Sequence, residues 1–200
     1  MDHLDTLLSE LEAFGEANDA AHSERGRRML NITRDTGQLL AVLMQASGAQ
    51  RVLEIGTSNG YSTLWLARTA QKMGGRVATV ELAADKVAMA AANFERAQLQ
   101  HVIEQLQGDA GTVLREAPDG AWDFIFLDSA RSQYQAWWPQ LDRVLAPGGV
   151  LVVDNASSHY AEMAAFLETI GSDARYTSSL VPVGKGEFIA IKNRSRVRGL

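Results

Sequence analysis

The sequence predicts a doubly wound α/β domain: a seven-stranded, mostly parallel sheet with helices on both faces and an antiparallel hairpin at its C-terminal end. Three observations carry this. From Arg51 onward, short β-rich runs alternate with helical ones, which implies parallel pairing through right-handed crossovers. The runs 125–127 (Ile-Phe-Leu) and 150–153 (Val-Leu-Val-Val) are continuously apolar, as strands covered on both faces are. The last two strand candidates are separated only by Pro182, Val183, Gly184, Lys185 and Gly186, too short a link for a helical crossover, so they form a hairpin.

Before the sheet, segments 2–18 and 35–47 carry apolar residues at helical spacing: Leu4, Leu7, Leu8 and Leu11, then Leu39, Leu40, Leu43 and Met44. These two helices could serve as a lid or as a dimer contact. The strands follow at 52–55, 76–80, 101–106, 124–127, 150–153, 176–181 and 187–191. Gly74-Gly75, Pro118-Asp119-Gly120 and Pro147-Gly148-Gly149 read as turns between elements. A helix over 133–145 presents Tyr134, Trp137, Trp138 and Leu141 as an apolar stripe, either core or dimer contact, with one ring available to wall a substrate site. Pro139 should restrict or kink that helix near its start. The chain reads as one domain, with N-terminal helices at 1–48, an α/β core at 51–192 and a solvated basic tail at 193–200 bearing Arg194, Arg196 and Arg198.

Composition narrows the function. A chain of 200 residues, 46% hydrophobic and 22% charged, suits one domain with a sizeable core. With no cysteine there is neither a disulfide framework nor a thiolate zinc site, so any metal must use oxygen or imidazole. The first residues lack the pattern of a signal peptide and no apolar run approaches the ~20 residues of a membrane span, so a cytoplasmic protein is expected. The net charge of −5 argues against nucleic-acid binding and for a small-molecule partner.

The sharpest segment is 52–62, a strand that runs through a Gly56-Thr57-Ser58-Asn59-Gly60 turn into a helix. Glycine lets the backbone turn tightly and approach a ligand where a Cβ would clash. The Gly-x-x-x-Gly spacing differs from the dinucleotide pattern, and alone it fits a ligand loop or mere strand–helix geometry equally. The next strand ends in Glu81, which either accepts ribose hydroxyls or starts the following helix. Asp109 and Ala110 follow the third strand, at the position for an adenine. Asp128 ends the fourth strand and Asp154-Asn155 the fifth. These are adjacent strands, so the three side chains lie within reach at one sheet edge and make a hard oxygen site suited to magnesium, manganese or calcium. The alternative is that Asp154 and Asn155 cap a turn.

Taken together, LEIGTSNGYSTLWLA, VATVELAADK, GDA, DFIFLDS and LAPGGVLVVDN resemble the class I, Rossmann-like O-methyltransferases that include the catechol and caffeoyl-CoA enzymes and many bacterial relatives, over roughly residues 33–192. The resemblance implies S-adenosylmethionine (SAM) as methyl donor. It assigns Glu54, Gly56, Thr57 and Ser62 to the amino-acid end of SAM, Glu81 to its ribose, Asp109 and Ala110 to its adenine, and Asp128 to the neighbourhood of its amine. It also implies a divalent cation on Asp128, Asp154 and Asn155, a phenolic or catechol-like acceptor, and a homodimer.

Two departures from the family pattern stand out. A lysine proposed as general base usually follows the metal aspartate by three residues, but this chain has Arg131, which cannot readily give up its proton. Arg131 is therefore expected to orient or stabilise an oxyanion, or else to be a surface residue at the start of a helix. After Asn155 the long tryptophan-bearing loop is missing, which predicts a more open or differently lined acceptor pocket. His159, four residues beyond Asn155, is a candidate base or a helix-start residue. The rival functions are an NAD(P)-dependent oxidoreductase, which lacks its glycine spacing and hydride-transfer residues here, and a non-catalytic SAM-binding protein.

Overall fold

Helices α1 (His3–Ala21) and α2 (Arg34–Ser47) precede a regular alternation of β1 (Arg51–Ile55), α3 (Tyr61–Met73), β2 (Arg76–Glu81), α4 (Ala84–Arg96), β3 (Ile103–Gln107), α5 (Ala110–Glu116), β4 (Trp122–Leu127), α6 (Tyr134–Val144), β5 (Leu145–Val153) and α7 (Tyr160–Gly171). The chain then ends in the β6 (Tyr176–Val181) and β7 (Glu187–Lys192) hairpin. The computed structural model describes residues 3–194, so Arg196 and Arg198 of the basic tail lie outside the described residues.

The strands form one sheet in the order β3-β2-β1-β4-β5-β7-β6, with β7 antiparallel to both its neighbours and the other pairs parallel. Side chains alternate across it as the pleat requires. Val52, Phe124, Phe126, Val150 and Val152 join the core on one face, and Leu53, Ile125, Leu127, Leu151 and Val153 join it on the other. This two-sided burial explains the continuously apolar runs of β4 and β5.

The first face is covered by α3 and α4 and also by the N-terminal helices, whose Leu7, Leu8, Leu40 and Met44 are buried in the same cluster. Thr33 starts α2, its hydroxyl accepting the Thr36 N–H at 3.2 Å. On the second face Tyr134, Trp138 and Leu141 of α6 pack against Phe166 and Tyr176, which makes them core, while half-buried Trp137 packs at the edge of this cluster, its ring 6.0 Å from that of Tyr134. Pro139 lies inside a continuous α6.

Two expectations change. Pro147-Gly148-Gly149 is no turn between elements but part of β5: Trp122 pairs with Leu145 and Phe124 with Val150, so residues 146–149 bulge out of the ladder. Proline lacks a ladder N–H and Gly148 adopts a left-handed φ of 83°, so the strand bends there without ending. The third strand begins later than expected, because residues 100–102 form a short 3-10 turn.

Candidate active site

The strand order reverses between β1 and β4, and ligands of open α/β sheets bind in the crevice beyond the carboxyl ends at such a point. Here backbone bonds carry the ladders past the strand ends: Gly56 N–H donates to Val80 at 3.0 Å, Asp128 N–H to Ile55 at 3.0 Å and Asp154 N–H to Leu127 at 3.0 Å. A cavity of about 680 Å³ opens at this edge. Its walls include Gly56, Thr57, Ser62, Glu81, Asp109, Ala110 and Asp128, so seven of the sequence-predicted residues share one space.

Each wall residue is held by its neighbours. Gly56 has a φ of 109°, and a Cβ there would sit 2.1 Å from the Asp128 carbonyl oxygen. Glu81 accepts the Ser58 N–H at 2.9 Å through one oxygen, and those of Leu82 and Ala83 at 2.9 and 3.0 Å through the other. It thereby holds the backbone that leads into α4 and also lines the cavity with lone pairs to spare. Asp109 caps α5, accepting the Thr112 N–H at 2.8 Å, and this bond holds its carboxyl below the usual range.

Glu54 is placed differently from the other cofactor candidates. It is 0% exposed and lies outside the cavity wall, accepting bonds from the hydroxyls of Ser62, Thr63 and Thr79. Burial raises its carboxyl to about 7 against the pull of these three donors. It therefore braces the glycine turn from beneath: Ser62 lines the cavity above it, and Thr57 is tied to Thr79 at 2.6 Å.

Asp128, Asp154 and Asn155 come together as predicted. The Asn155 amide nitrogen lies 2.5 Å from an Asp154 oxygen and 3.3 Å from an Asp128 oxygen. Burial and the Asp154 charge push Asp128 well above the usual carboxylate range, with Lys185 and Arg131 opposing. Buried Asp154 and half-buried Asp128 are thus bridged by amide hydrogens, and rotation of the amide would turn its oxygen toward the two acids, a donor set that a hard cation could use. Among the described residues no three acidic or histidine side chains form a metal-binding group of their own.

Arg131 is not a surface residue. It is 6% exposed, its Nε donates to Glu162 at 2.8 Å, and its Nη2 is buried without a hydrogen-bond partner. His159 precedes α7 with its ring nitrogen 2.9 Å from the Ser158 hydroxyl, and neither it nor Arg131 is part of the cavity wall.

Two features were not found in the sequence. The segment 25–32 lines the cavity as a strap, through Arg25, Gly26, Met29, Leu30, Asn31 and Ile32. Asp19 holds this strap through the Met29 and Leu30 N–H groups at 2.6 and 2.9 Å, while Ser58 and Lys86 donate to its Met29 and Arg28 carbonyls. Trp137, one of the rings that the sequence offered for a substrate site, adds an aromatic wall. Glu187 lies 0% exposed beside Asp154, and burial together with the Asp154 charge raises it to about 10.

Comparison with known proteins agrees with this geometry. The O-methyltransferase family pattern matches residues 6–193. A catechol O-methyltransferase of Mycobacterium tuberculosis is 36% identical over 145 residues, 72% of this chain and 64% of that protein. One from Niastella koreensis is 32% identical over 154 residues, 76% of this chain and 66% of that protein. The chain thus spans just under two thirds of these relatives' lengths. Among solved structures, the O-methyltransferase from Bacillus cereus in complex with S-adenosylhomocysteine (SAH) superposes with a TM-score of 0.77 at 27% identity, covering 94% of this chain and 91% of that one. The O-methyltransferase TomG from Streptomyces achromogenes, in complex with SAM, gives 0.76 at 25% identity, covering 96% and 90%.

Proposed function

Because the chain belongs to the O-methyltransferase family, we propose that it carries the methyl group of SAM to a hydroxyl oxygen of a small phenolic, catechol-like acceptor, assisted by a divalent cation. The observation that carries this reading is the single cavity at the switch point, which gathers a glycine turn, an acid after β2, an acid after β3 and the Asp128 end of the cation site.

In this reading Gly56, Thr57 and Ser62 receive the amino-acid end of SAM, with Glu54 bracing them from below. Glu81 accepts the ribose hydroxyls while its bonds to Ser58, Leu82 and Ala83 keep the carboxylate fixed. Asp109 and Ala110 border the adenine. SAM supplies an electrophilic methyl carbon, so the protein's main task is to align the acceptor oxygen in line with it. Asp128, Asp154 and Asn155 would hold a divalent cation, which favours the ionised form of a phenol whose ordinary pKa is ~10. A guanidinium is a poor base, so no proton transfer is assigned to Arg131; its charge acts on Asp128. His159 bonds to Ser158 and lies off the cavity wall, so no proton transfer is assigned to it.

Calorimetric titration of SAH, with NAD as control, tests the cofactor assignment. Binding of SAH and silence toward NAD supports it, whereas the reverse restores the oxidoreductase reading. Methyl transfer from labelled SAM to catechol, with magnesium and with chelator, tests the remainder. Catechol methylation that survives exhaustive chelation would remove the cation from the proposal.

A further inference from the structure

Glu187 is an acid that opens the apolar run Phe188-Ile189-Ala190-Ile191 of β7 and has no part in the reaction described above. Thr36 on α2 donates its hydroxyl to one Glu187 oxygen at 2.9 Å, and the other oxygen, Oε2, is buried with no hydrogen-bond partner. A buried carboxyl with unmet bonding capacity is costly unless a neighbour answers it. The neighbouring acid is Asp154. The β5–β7 ladder ends at Val153↔Phe188, and one more step of the same register sets Asp154 opposite Glu187, where its charge bears on the Glu187 carboxyl.

The hairpin that carries Glu187 is wedged in place. A Cβ on Gly184 would lie 2.3 Å from the Thr36 hydroxyl, and one on Gly186 would lie 2.7 Å from the Ser157 nitrogen. Ala156 N–H donates to the Gly186 carbonyl at 2.7 Å and Ser158 N–H to that of Lys185 at 3.0 Å. Glu187 is thereby fixed from α2 on one side and from the loop after β5 on the other.

We propose that Glu187 is a positioning residue for the cation site: anchored by Thr36, its carboxyl bears on Asp154 and sets the direction in which Asp154 faces Asp128 and Asn155. The inference rests on the divalent-cation reading of that site. Carboxylates that ligate metals are themselves held by outer hydrogen bonds, and losing such a partner typically weakens metal binding about 10- to 100-fold. Direct coordination by Glu187 is the competing reading, and a glutamine variant separates the two. Glutamine in place of Glu187 keeps the tether, with its amide hydrogen toward Asp154 and its carbonyl toward Thr36.

The test is titration of Mn²⁺ into the SAH-bound full chain, with free Mn²⁺ read by electron paramagnetic resonance. Glu187→Leu should weaken Mn²⁺ binding about 10-fold or more, and Glu187→Gln should stay close to wild type. Thr36→Val, a milder change that loosens the anchor, should also weaken it and stands in if Glu187→Leu fails to fold, as judged by lost SAH binding. Wild-type affinity in both Glu187→Leu and Thr36→Val overturns the inference while leaving the cation site intact. Equal loss in Glu187→Gln and Glu187→Leu overturns it in favour of direct coordination. A wild-type protein that binds no Mn²⁺ removes the cation reading itself, and the inference with it.

Discussion

Gly56 and Asp128 meet at the switch point of the sheet, where the Asp128 carbonyl oxygen fills the space that a Cβ on Gly56 would need. The contact joins the end of β1 to the end of β4 and lets both line one cavity. Gly56→Ala must therefore relieve an overlap with backbone and also adopt a φ of 109°, which L side chains avoid. Strain and overpacking together should cost about 2–4 kcal/mol in urea unfolding. SAH affinity should fall with it. A variant of unchanged stability that still binds SAH would mean that the turn relaxes freely, contrary to the geometry.

Glu54 gives the protein a pH dependence with a definite sign. Its carboxyl ionises near the ordinary 4.5 in the unfolded chain but at about 7 in the folded one, because burial outweighs its three hydroxyl donors. Below pH 4.5 both states hold the proton; between 4.5 and 7 only the folded state does. Stability from this group is therefore full at low pH and is lost as pH rises through that window, a change worth about 3 kcal/mol. Other acids titrate too, so the readout is the difference between wild type and Glu54→Gln in urea unfolding from pH 5 to 8. That difference should move against the wild type up to pH 7 and then level off. A flat difference would mean that the three hydroxyls keep Glu54 ionised throughout.

Much of the site was legible in the sequence because strand ends in a parallel sheet fall on one edge. Gly56, Glu81, Asp109, Asp128 and Asp154 each follow a recognisable strand, so their convergence follows from topology alone. Glu54 lies apart from the cavity wall for a local reason: it precedes the strand end and pleats beneath the turn, and its apolar flanks hide that direction. The strap over 25–32 carries no periodicity, and it is held by Asp19, Ser58 and Lys86 through backbone groups that any residue type supplies. Glu187 did leave a signal, a lone acid opening the run Phe188-Ile189-Ala190-Ile191. Its meaning depends on the pairing with β5, which the sequence does not print. Pro147-Gly148-Gly149 misled because proline and glycine punctuate bulges as readily as turns.

Glu81 carries the ribose assignment and supports the backbone at Ser58, Leu82 and Ala83, so its removal should act twice. Glu81→Ala should lower SAH affinity about 10- to 100-fold, as expected for loss of charged hydrogen bonds. Glu81→Gln retains an acceptor for the backbone but can also donate, and should fall between the two. If calorimetry gives Glu81→Ala the wild-type affinity, the ribose lies elsewhere.

Arg131 occupies the place where related enzymes are expected to carry lysine, and its burial with an unpartnered Nη2 points to an electrostatic role and not a basic one. Its Nε bond to Glu162 fixes the guanidinium, while its charge opposes the repulsion between Asp128 and Asp154. Arg131→Met should therefore lower kcat/KM for catechol by about 10²-fold, the usual scale for one lost stabilising group at a developing charge. Arg131→Lys, which keeps the cation, should retain most of that activity, and Glu162→Gln reports what the ion pair alone contributes. If lysine raises activity and adds a new acidic limb to the pH–rate profile, a general base was missing and the electrostatic account is wrong. Equal losses in Arg131→Met and Glu162→Gln would instead confine Arg131 to holding α7 in place.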